Sequence, residues 1–203
     1  MKIICVGRNY SEHIKELQNT DPGEPVIFLK PDTALVRHNE PVYLPSHSND
    51  VHYEAELVFR VCRNGKHIEP QFSLRYLDAV TVGVDFTARD VQERMKEKRL
   101  PWEIAKAFDQ SAPVGSFIPL TEAGDLHNLN FSLSINGEIR QRGNSSQMIH
   151  SIENLVSYIS RIFSLKTGDL IFTGTPAGVG KLQQGDRLLG TLGHAEVLNF
   201  EVR

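Results

Sequence analysis

The sequence has few of the features that mark several large classes of protein. Only two of its 203 residues are cysteines, Cys5 and Cys62, which excludes a disulfide scaffold and is typical of a reducing compartment. No apolar run approaches the roughly twenty residues that a membrane-spanning helix requires. The apolar run at the start is too short for a secretory signal peptide and lacks a small-residue cleavage site. We therefore expect a cytoplasmic protein without a membrane partner.

An excess of positive charge and the common catalytic motifs are also absent. The 22 Lys and Arg against 25 Asp and Glu give a net charge of -3, and hence no electrostatic reason to bind nucleic acid. Zinc-type Cys and His spacing and a Gly-x-Ser-x-Gly motif are missing. The glycine-rich stretch from Gly174 to Lys181 is not a phosphate loop. Five residues separate Gly174 from Gly180 where a phosphate loop has four, and Leu182 follows the lysine where a phosphate loop has Ser or Thr. A tight glycine turn whose backbone N–H groups approach a ligand fits it better.

Short strands dominate the pattern that is present. Asn136-Gly137 between apolar residues predicts one hairpin. Three helices are predicted from capping residues: from Asn9 to about Leu17, from a Thr87/Asp90 capping box to about Lys98, and from Ser151 to about Leu165. Since strands and helices do not alternate, we expect a mainly β fold of mixed α+β class, forming one domain over residues 1–203. The predicted strands are Lys2–Val6, Val26–Leu29, His52–Val61, Ala79–Val84, Phe131–Ile135, Asp169–Phe172, Asp186–Leu192 and Ala195–Val202.

Three acidic residues form the most informative pattern. Glu54 and Glu56 are two apart in a stretch predicted to be extended, so their side chains point to one face. Neighbouring carboxylates repel each other unless a cation lies between them. Asp85, at the end of another predicted strand, would complete an all-oxygen site for a hard divalent ion. The alternative is that these acids line a solvated strand face.

Four basic groups are candidates for chemistry. His13 and Glu16 share a helix face, so the carboxylate can orient the imidazole as a general base; otherwise they are an exposed surface pair. Lys106 has apolar neighbours that would desolvate its amine and favour binding of a substrate carboxylate. The alternative is a surface lysine whose aliphatic stem covers apolar surface while the amine stays in water. Arg8 and Lys30 lie near strand ends as further candidates for substrate binding.

Taken together, six segments resemble the fumarylacetoacetate hydrolase family, and in particular its short acylpyruvase and oxaloacetate decarboxylase branch. They occur in one order along almost the whole chain. The segments are Cys5–Tyr10 with His13 and Glu16, Phe28–Pro31, His52–Leu57, Gly83–Asp90, Lys106–Asp109 and Gly174–Gly180.

The resemblance implies a mixed β-roll, a homodimer, and Mg²⁺ or Mn²⁺ bound by Glu54, Glu56 and Asp85. It implies a mobile lid over residues 8–22 that carries His13 and Glu16. Matched residue by residue, it gives Lys106 and Thr175 to substrate binding. We add Gln92 as a substrate-binding candidate, in the stretch 91–102 expected to wall the pocket.

The expected reaction is metal-dependent hydrolysis of an acylpyruvate to pyruvate through a metal-bound enolate. A 2-oxo acid chelates the ion, and the ion stabilises the enolate. The same site would support oxaloacetate decarboxylation or isomerisation of a hydroxymuconate-type dicarboxylate; water activation by His13 favours hydrolysis. A non-catalytic metabolite binder and a β-sheet interaction module are the alternatives from other classes.

Overall fold

The computed structural model describes residues 1–16 and 23–203. Within these ranges the chain forms fifteen strands, four α-helices and three 3₁₀ helices at Asp32–Ala34, Pro70–Tyr76 and Ser145–Gln147. The α-helices are α1 (Ser11–Glu16), α2 (Arg89–Glu97), α3 (Glu103–Lys106) and α4 (Ile152–Ile162). The strands are β1 (Ile3–Gly7), β2 (Val26–Lys30), β3 (Leu35–Val36), β4 (Val51–Tyr53), β5 (Ala55–Val61), β6 (Leu77–Val84), β7 (Thr87–Ala88), β8 (Ala112–Pro113), β9 (Ile118–Pro119), β10 (Asn130–Ile135), β11 (Glu138–Asn144), β12 (Leu170–Phe172), β13 (Gly180–Lys181), β14 (Arg187–Leu192) and β15 (Ala195–Glu201).

Two sheets account for most of the strands. The first has the order β2-β1-β12-β5-β6-β9, and the second has the order β11-β10-β14-β15. Two smaller sheets, β13-β4-β7 and β3-β8, complete the set among the described residues. Within the first sheet β1 and β12 run parallel, so their carboxyl ends meet at the same edge. Strands predominate over helices, which confirms the mixed α+β class.

One large apolar cluster joins the two main sheets and α4. Leu57 and Val82 come from the first sheet, Leu133 and Leu188 from the second, and Leu155 from α4. All five side chains are essentially inaccessible to water. Burying a residue of this size stabilises the fold by roughly 1.5–3 kcal/mol relative to leaving it exposed. This packing fixes the strands that carry the site described below. No helix of the described residues is long and apolar enough to cross a membrane.

Most predicted elements are confirmed with shifted boundaries. The Asn136-Gly137 hairpin is present, with both residues at positive φ and Ile135 paired to Glu138. The predicted strand over 52–61 is interrupted at Glu54, between β4 and β5. The third predicted helix is α4, and the Ser151 hydroxyl accepts a hydrogen bond from the Asn154 N–H as expected of a cap.

Two of the predicted capping residues are used elsewhere. The Asn9 side chain joins distant segments instead, since its amide donates to the carbonyls of His150 and Thr173. The Thr87/Asp90 capping box is wrong: α2 begins at Arg89, and its N-cap residue Ala88 has no capping side chain. The Thr87 hydroxyl is buried and accepts a hydrogen bond from Lys106. Leu17, the predicted end of the first helix, lies outside the described residues.

Candidate metal centre and active site

The three acidic residues meet because of the register between β5 and β6. Ala55 pairs with Val84, which places Glu54 and Asp85 next to each other where the two strands end. The Asp85 N–H donates to the Glu54 carbonyl over 2.8 Å. Glu56 follows two residues after Glu54 and points the same way. One carboxylate oxygen from each acid lies within 4.8 Å of the other two, and all three side chains are buried. A solvated strand face is therefore excluded.

The donor set fits a hard divalent cation. Glu56 has no ion-pair partner among residues 1–16 and 23–203, and it accepts a hydrogen bond only from the Gly174 N–H, at 2.7 Å. Burial, together with the charge of Asp85, raises the pKa of Glu56 well above its ordinary value. An ion at the centre of the three acids would remove this penalty. Oxygen-only ligation suits Mg²⁺ or Mn²⁺ better than Zn²⁺ or Cu²⁺.

Lys106 closes one side of this acidic cluster. Its ammonium donates to Glu54 at 2.8 Å, to Asp85 at 2.7 Å and to the Thr87 hydroxyl at 2.6 Å, which uses all three N–H groups. Burial alone would lower the pKa of Lys106, but the charges of Asp85 and Glu54 raise it above its usual range. The amine is thus fixed as a cation, and the surface-lysine alternative is excluded.

Lys30 lies behind Asp85. Its ammonium is 2.7 Å from Asp85 Oδ1, and it also donates to the Phe86, Lys106 and Ser111 carbonyls and to the Ser111 hydroxyl. Among the described residues Asp85 Oδ1 accepts no hydrogen bond, so its contact with Lys30 is a charge contact. Lys30 is not among the described residues that line the cavity, so it positions Asp85 instead of facing a ligand.

Helix α2 contributes a cation that the sequence reasoning did not single out. Arg89 contacts Glu54 at 2.5 Å through one terminal nitrogen and the Gln92 side-chain oxygen at 2.8 Å through the other. Burial alone would raise the pKa of Glu54, but the positive charges of Lys106 and Arg89 hold it well below its usual range. Because Arg89 can only donate, Gln92 presents its oxygen to Arg89 and its NH₂ group to the cavity.

The glycine loop after β12 supports the site with backbone groups. Gly174 N–H holds Glu56, and Gly174 has φ of +96°, where a side chain would meet Asn9 Cβ at 2.7 Å. Thr175 is buried and lines the cavity, and its hydroxyl accepts from Gln141 at 2.8 Å. The expected approach of loop N–H groups to a ligand stays a prediction; in the structure the Gly174 N–H donates to a carboxylate side chain, that of Glu56.

Helix α1 reaches the same edge of the sheet because β1 ends beside β12. Arg8, at φ of +62°, turns the chain out of β1 towards α1 and lines the cavity. His13 is buried, and its Nδ1 is 3.1 Å from Glu16 Oε2. The other Glu16 oxygen accepts from the Gly178 N–H at 3.0 Å. The pair is therefore not a free surface pair, and Nε2 is the ring nitrogen left for a ligand. Of the predicted lid, residues 17–22 lie outside the described ranges.

These groups surround one small cavity with room for only a few water molecules, about 40 Å³. Phe28 and Arg89 also line it and were not predicted as site residues, because their local sequence signals are common in any sequence. Lys96 and Trp102 line it too, and both lie in the stretch 91–102 that was expected to wall the pocket. The described side chains around the cavity are those of Val6, Arg8, His13, Phe28, Glu54, Glu56, Asp85, Arg89, Gln92, Lys96, Trp102, Lys106 and Thr175.

Comparisons with known proteins agree with this geometry. Residues 2–199 match the family model described as fumarylacetoacetate (FAA) hydrolase C-terminal. The chain is 46% identical to oxaloacetate tautomerase YcgM of Escherichia coli, covering 96% of this chain and 90% of that protein. It is 42% identical to mouse mitochondrial oxaloacetate tautomerase FAHD1, covering 99% and 91%. A crystal structure of fumarylpyruvate hydrolase from Pseudomonas aeruginosa, in complex with Mn²⁺ and pyruvate, superposes with a TM-score of 0.93 at 40% identity, covering 100% of this chain and 89% of that one.

Proposed function

Because the chain belongs to the fumarylacetoacetate hydrolase family, we propose that it is a divalent-metal-dependent enzyme that interconverts the keto and enol forms of oxaloacetate. The observation that carries the proposal is the buried cluster of Glu54, Glu56 and Asp85 beneath a histidine held by a carboxylate. Several relatives above 40% identity are named oxaloacetate tautomerase, and one at 42% identity is named oxaloacetate decarboxylase, which supports oxaloacetate over other 2-oxo acids.

Glu54, Glu56 and Asp85 would hold Mg²⁺ or Mn²⁺. When bound, such an ion supplies Lewis-acid stabilisation of the enolate that forms when C3 of a 2-oxo acid loses a proton. Lys106 keeps Glu54 ionised, and Lys30 and Lys106 hold Asp85 in place. Gln92 and Thr175 line the cavity and would be the uncharged groups that contact the substrate's head carboxylate.

His13 moves the proton. Its Nδ1 is engaged by Glu16, so the imidazole presents Nε2 to C3 of the substrate. Nε2 takes the C3 proton, and the imidazolium returns a proton to the C2 oxygen; Glu16 stabilises the charged ring between the two steps. The net reaction transfers one proton from carbon to oxygen and needs no co-reactant.

A second candidate is hydrolysis of an acylpyruvate, which is favoured by the same His13–Glu16 pair. Here His13 would deprotonate a water that adds to the distal carbonyl, the C–C bond between that carbonyl and C3 would break, and its electron pair would leave as pyruvate enolate. The likeness to a fumarylpyruvate hydrolase supports this alternative. Oxaloacetate decarboxylation, homodimer formation and a cytoplasmic location stay predictions.

Two assays on the purified protein test these candidates. Enol absorbance after addition of keto-oxaloacetate, with Mg²⁺, with Mn²⁺ and with EDTA, measures tautomerisation. Pyruvate release from fumarylpyruvate under the same conditions measures hydrolysis. We expect metal-dependent tautomerisation that is lost in His13→Ala. Pyruvate release without any acceleration of enolisation would replace the first candidate by the second, and inactivity in both assays would refute both.

A further inference from the structure

Helix α2 carries a row of polar side chains that leads away from the acidic cluster. Arg89, Gln92 and Lys96 are three and four residues apart, so they share one face, and all three line the cavity. Arg89 contacts Glu54 and Gln92 follows, while Lys96 lies about 10 Å further along the helix axis from Arg89. A substrate whose head lies at the metal centre would therefore extend along this face towards Lys96.

Lys96 is a cation without an acidic partner in the part of the chain that the structure describes. No carboxylate of those residues lies within 4.0 Å of its ammonium, whereas Arg89 and Lys106 both have one. Its ammonium lies over the Trp102 ring, 5.9 Å from the centroid, which holds it at the mouth of the cavity. Partial burial and the positive charges of Arg89 and Arg8 lower the pKa of Lys96, so an anion beside it would be stabilising.

The cavity also carries a surplus of positive charge once an ion is bound. Leaving Arg8 aside, three cationic side chains line it, those of Arg89, Lys96 and Lys106, and they balance its three carboxylates. A divalent ion adds two further positive charges, and the head carboxylate of a 2-oxo acid neutralises only one. Such a surplus of positive charge, in a site of restricted solvent access, favours a ligand with a second negative charge over one with a single charge.

We propose that Lys96 is the specificity-determining residue for a second carboxylate at the far end of a 2-oxo acid substrate. The inference rests on the proposed function and assigns a residue to the recognition of the second carboxylate that distinguishes oxaloacetate and other 2-oxo diacids from 2-oxo monoacids. The competing possibility is an apolar tail. A second cavity of about 480 Å³ adjoins the first and shares Phe28, Trp102 and Lys106 with it. Apart from Glu103 its other walls are apolar: Val26, Ile27, Leu29, Leu100, Pro101 and Phe163.

Binding of a matched pair of 2-oxo acids tests the proposal without turnover. 2-Oxoglutarate and 2-oxopentanoate have the same carbon chain and differ only in the terminal carboxylate. Calorimetric titration into the Mn²⁺-loaded wild-type protein should show at least tenfold tighter binding of the diacid. Lys96→Met should abolish this preference, and Lys96→Arg should restore most of it. Lys98→Met, which removes an exposed lysine from the C-terminus of the same helix, should leave the preference unchanged.

Activity provides the second arm. Oxaloacetate and its 4-methyl ester enolise at the same carbon, but the ester lacks the distal charge. Lys96→Met should lower kcat/KM for oxaloacetate about tenfold and change that for the ester less than threefold. The role of Lys96 would be overturned if Lys96→Met lowered kcat/KM equally for both substrates and so left their ratio unchanged. It would also be overturned if the wild type bound 2-oxopentanoate more tightly than 2-oxoglutarate.

The two proposals fail in different ways. Rapid metal-dependent enolisation without a diacid preference would refute the role of Lys96 and leave the reaction standing. A diacid preference that depends on Lys96 in a protein without tautomerase activity would support the binding role and refute the reaction. Failure to bind either 2-oxo acid in the presence of Mn²⁺ would count against the Lys96 proposal.

Discussion

Replacement of Lys30 by Met tests whether the centre depends on a cation that no substrate touches. Lys30 is fully buried, and its ammonium is 2.7 Å from Asp85 Oδ1. Methionine has a similar length and volume, so the change removes charge and hydrogen bonds with little loss of packing. What remains is Asp85 with one fewer cation and the Phe86 carbonyl without its Lys30 donor, while the Lys106 and Ser111 carbonyls keep the Ser111 hydroxyl and the Phe86 N–H as donors.

The magnitude follows from the burial of the pair. Removing one partner of a buried ion pair costs roughly 3–5 kcal/mol. Asp85 keeps its contact with Lys106 through the other oxygen, so we expect the lower end, about 3 kcal/mol. For a chain of this size 1 kcal/mol corresponds to roughly 2–4 °C in Tm, which predicts a decrease of about 6–12 °C in EDTA. The lost positive charge also strengthens attraction of a divalent ion, so Mn²⁺ should restore more of the stability of the variant than of the wild type.

Thermal unfolding followed by far-UV circular dichroism, with EDTA and with Mn²⁺, measures both effects. The matched control is Arg60→Met, which breaks the Arg60–Asp78 pair on the surface. Both side chains of that pair are more than 40% exposed, so its loss should cost less than about 1 kcal/mol. The reasoning is refuted if Lys30→Met is no less stable than Arg60→Met, or if Mn²⁺ raises the Tm of Lys30→Met no more than that of the wild type.

Three further predictions concern the metal centre, the base and the thiols. Mg²⁺ or Mn²⁺ at about 100 times its Kd should stabilise the protein by about 2.7 kcal/mol relative to EDTA, measured as an increase in Tm. Glu56→Ala should reduce this increase to near zero, and an undiminished increase would mean that the ion binds elsewhere. His13→Ala should lower kcat by roughly 10²–10⁴-fold while the ion-induced shift in Tm persists, and a loss of both would mean that His13 supports the fold instead of proton transfer. Burial and the charge of Asp85 raise the pKa of the Cys5 thiol, so only the half-buried Cys62 should react with a maleimide at pH 8 in the folded protein. We expect one labelled thiol per folded chain and two after denaturation. Rapid labelling of Cys5 in the folded protein would contradict the packing of β1.

The sequence predicts that Glu54 and Glu56 share a face because their spacing acts through a local rule. Alternation along an extended chain is enough to put Glu54 and Glu56 on one face, even though a break at Glu54 divides the strand. Apolar periodicity likewise predicts α4, and Asn136-Gly137 predicts the hairpin, since turn chemistry is also local.

The rest of the site depends on contacts between distant segments, which a single sequence does not show. Arg89 reaches Glu54 across 35 positions, and Lys30 reaches the Ser111 carbonyl across 81. Local reasoning assigned Lys30 to substrate binding and Thr87 to a helix cap, but in the fold each contacts polar groups from distant segments of the chain. Whether a lysine faces ligand or supports a carboxylate is decided by tertiary packing.

The turn from Gly174 to Gly178 has a consequence for the coupling of binding events. One end of it donates to Glu56 in the metal centre and the other end to Glu16, which holds the base. A displacement of this turn would therefore move Glu56 in the acidic cluster and Glu16 in α1 together. If ion and substrate each favour the same position of the turn, thermodynamic reciprocity requires that the substrate tighten the ion by the same factor as the ion tightens the substrate. Part of the positive cooperativity between ion and substrate would thus be transmitted through five residues of backbone, in addition to the direct contact between the two ligands.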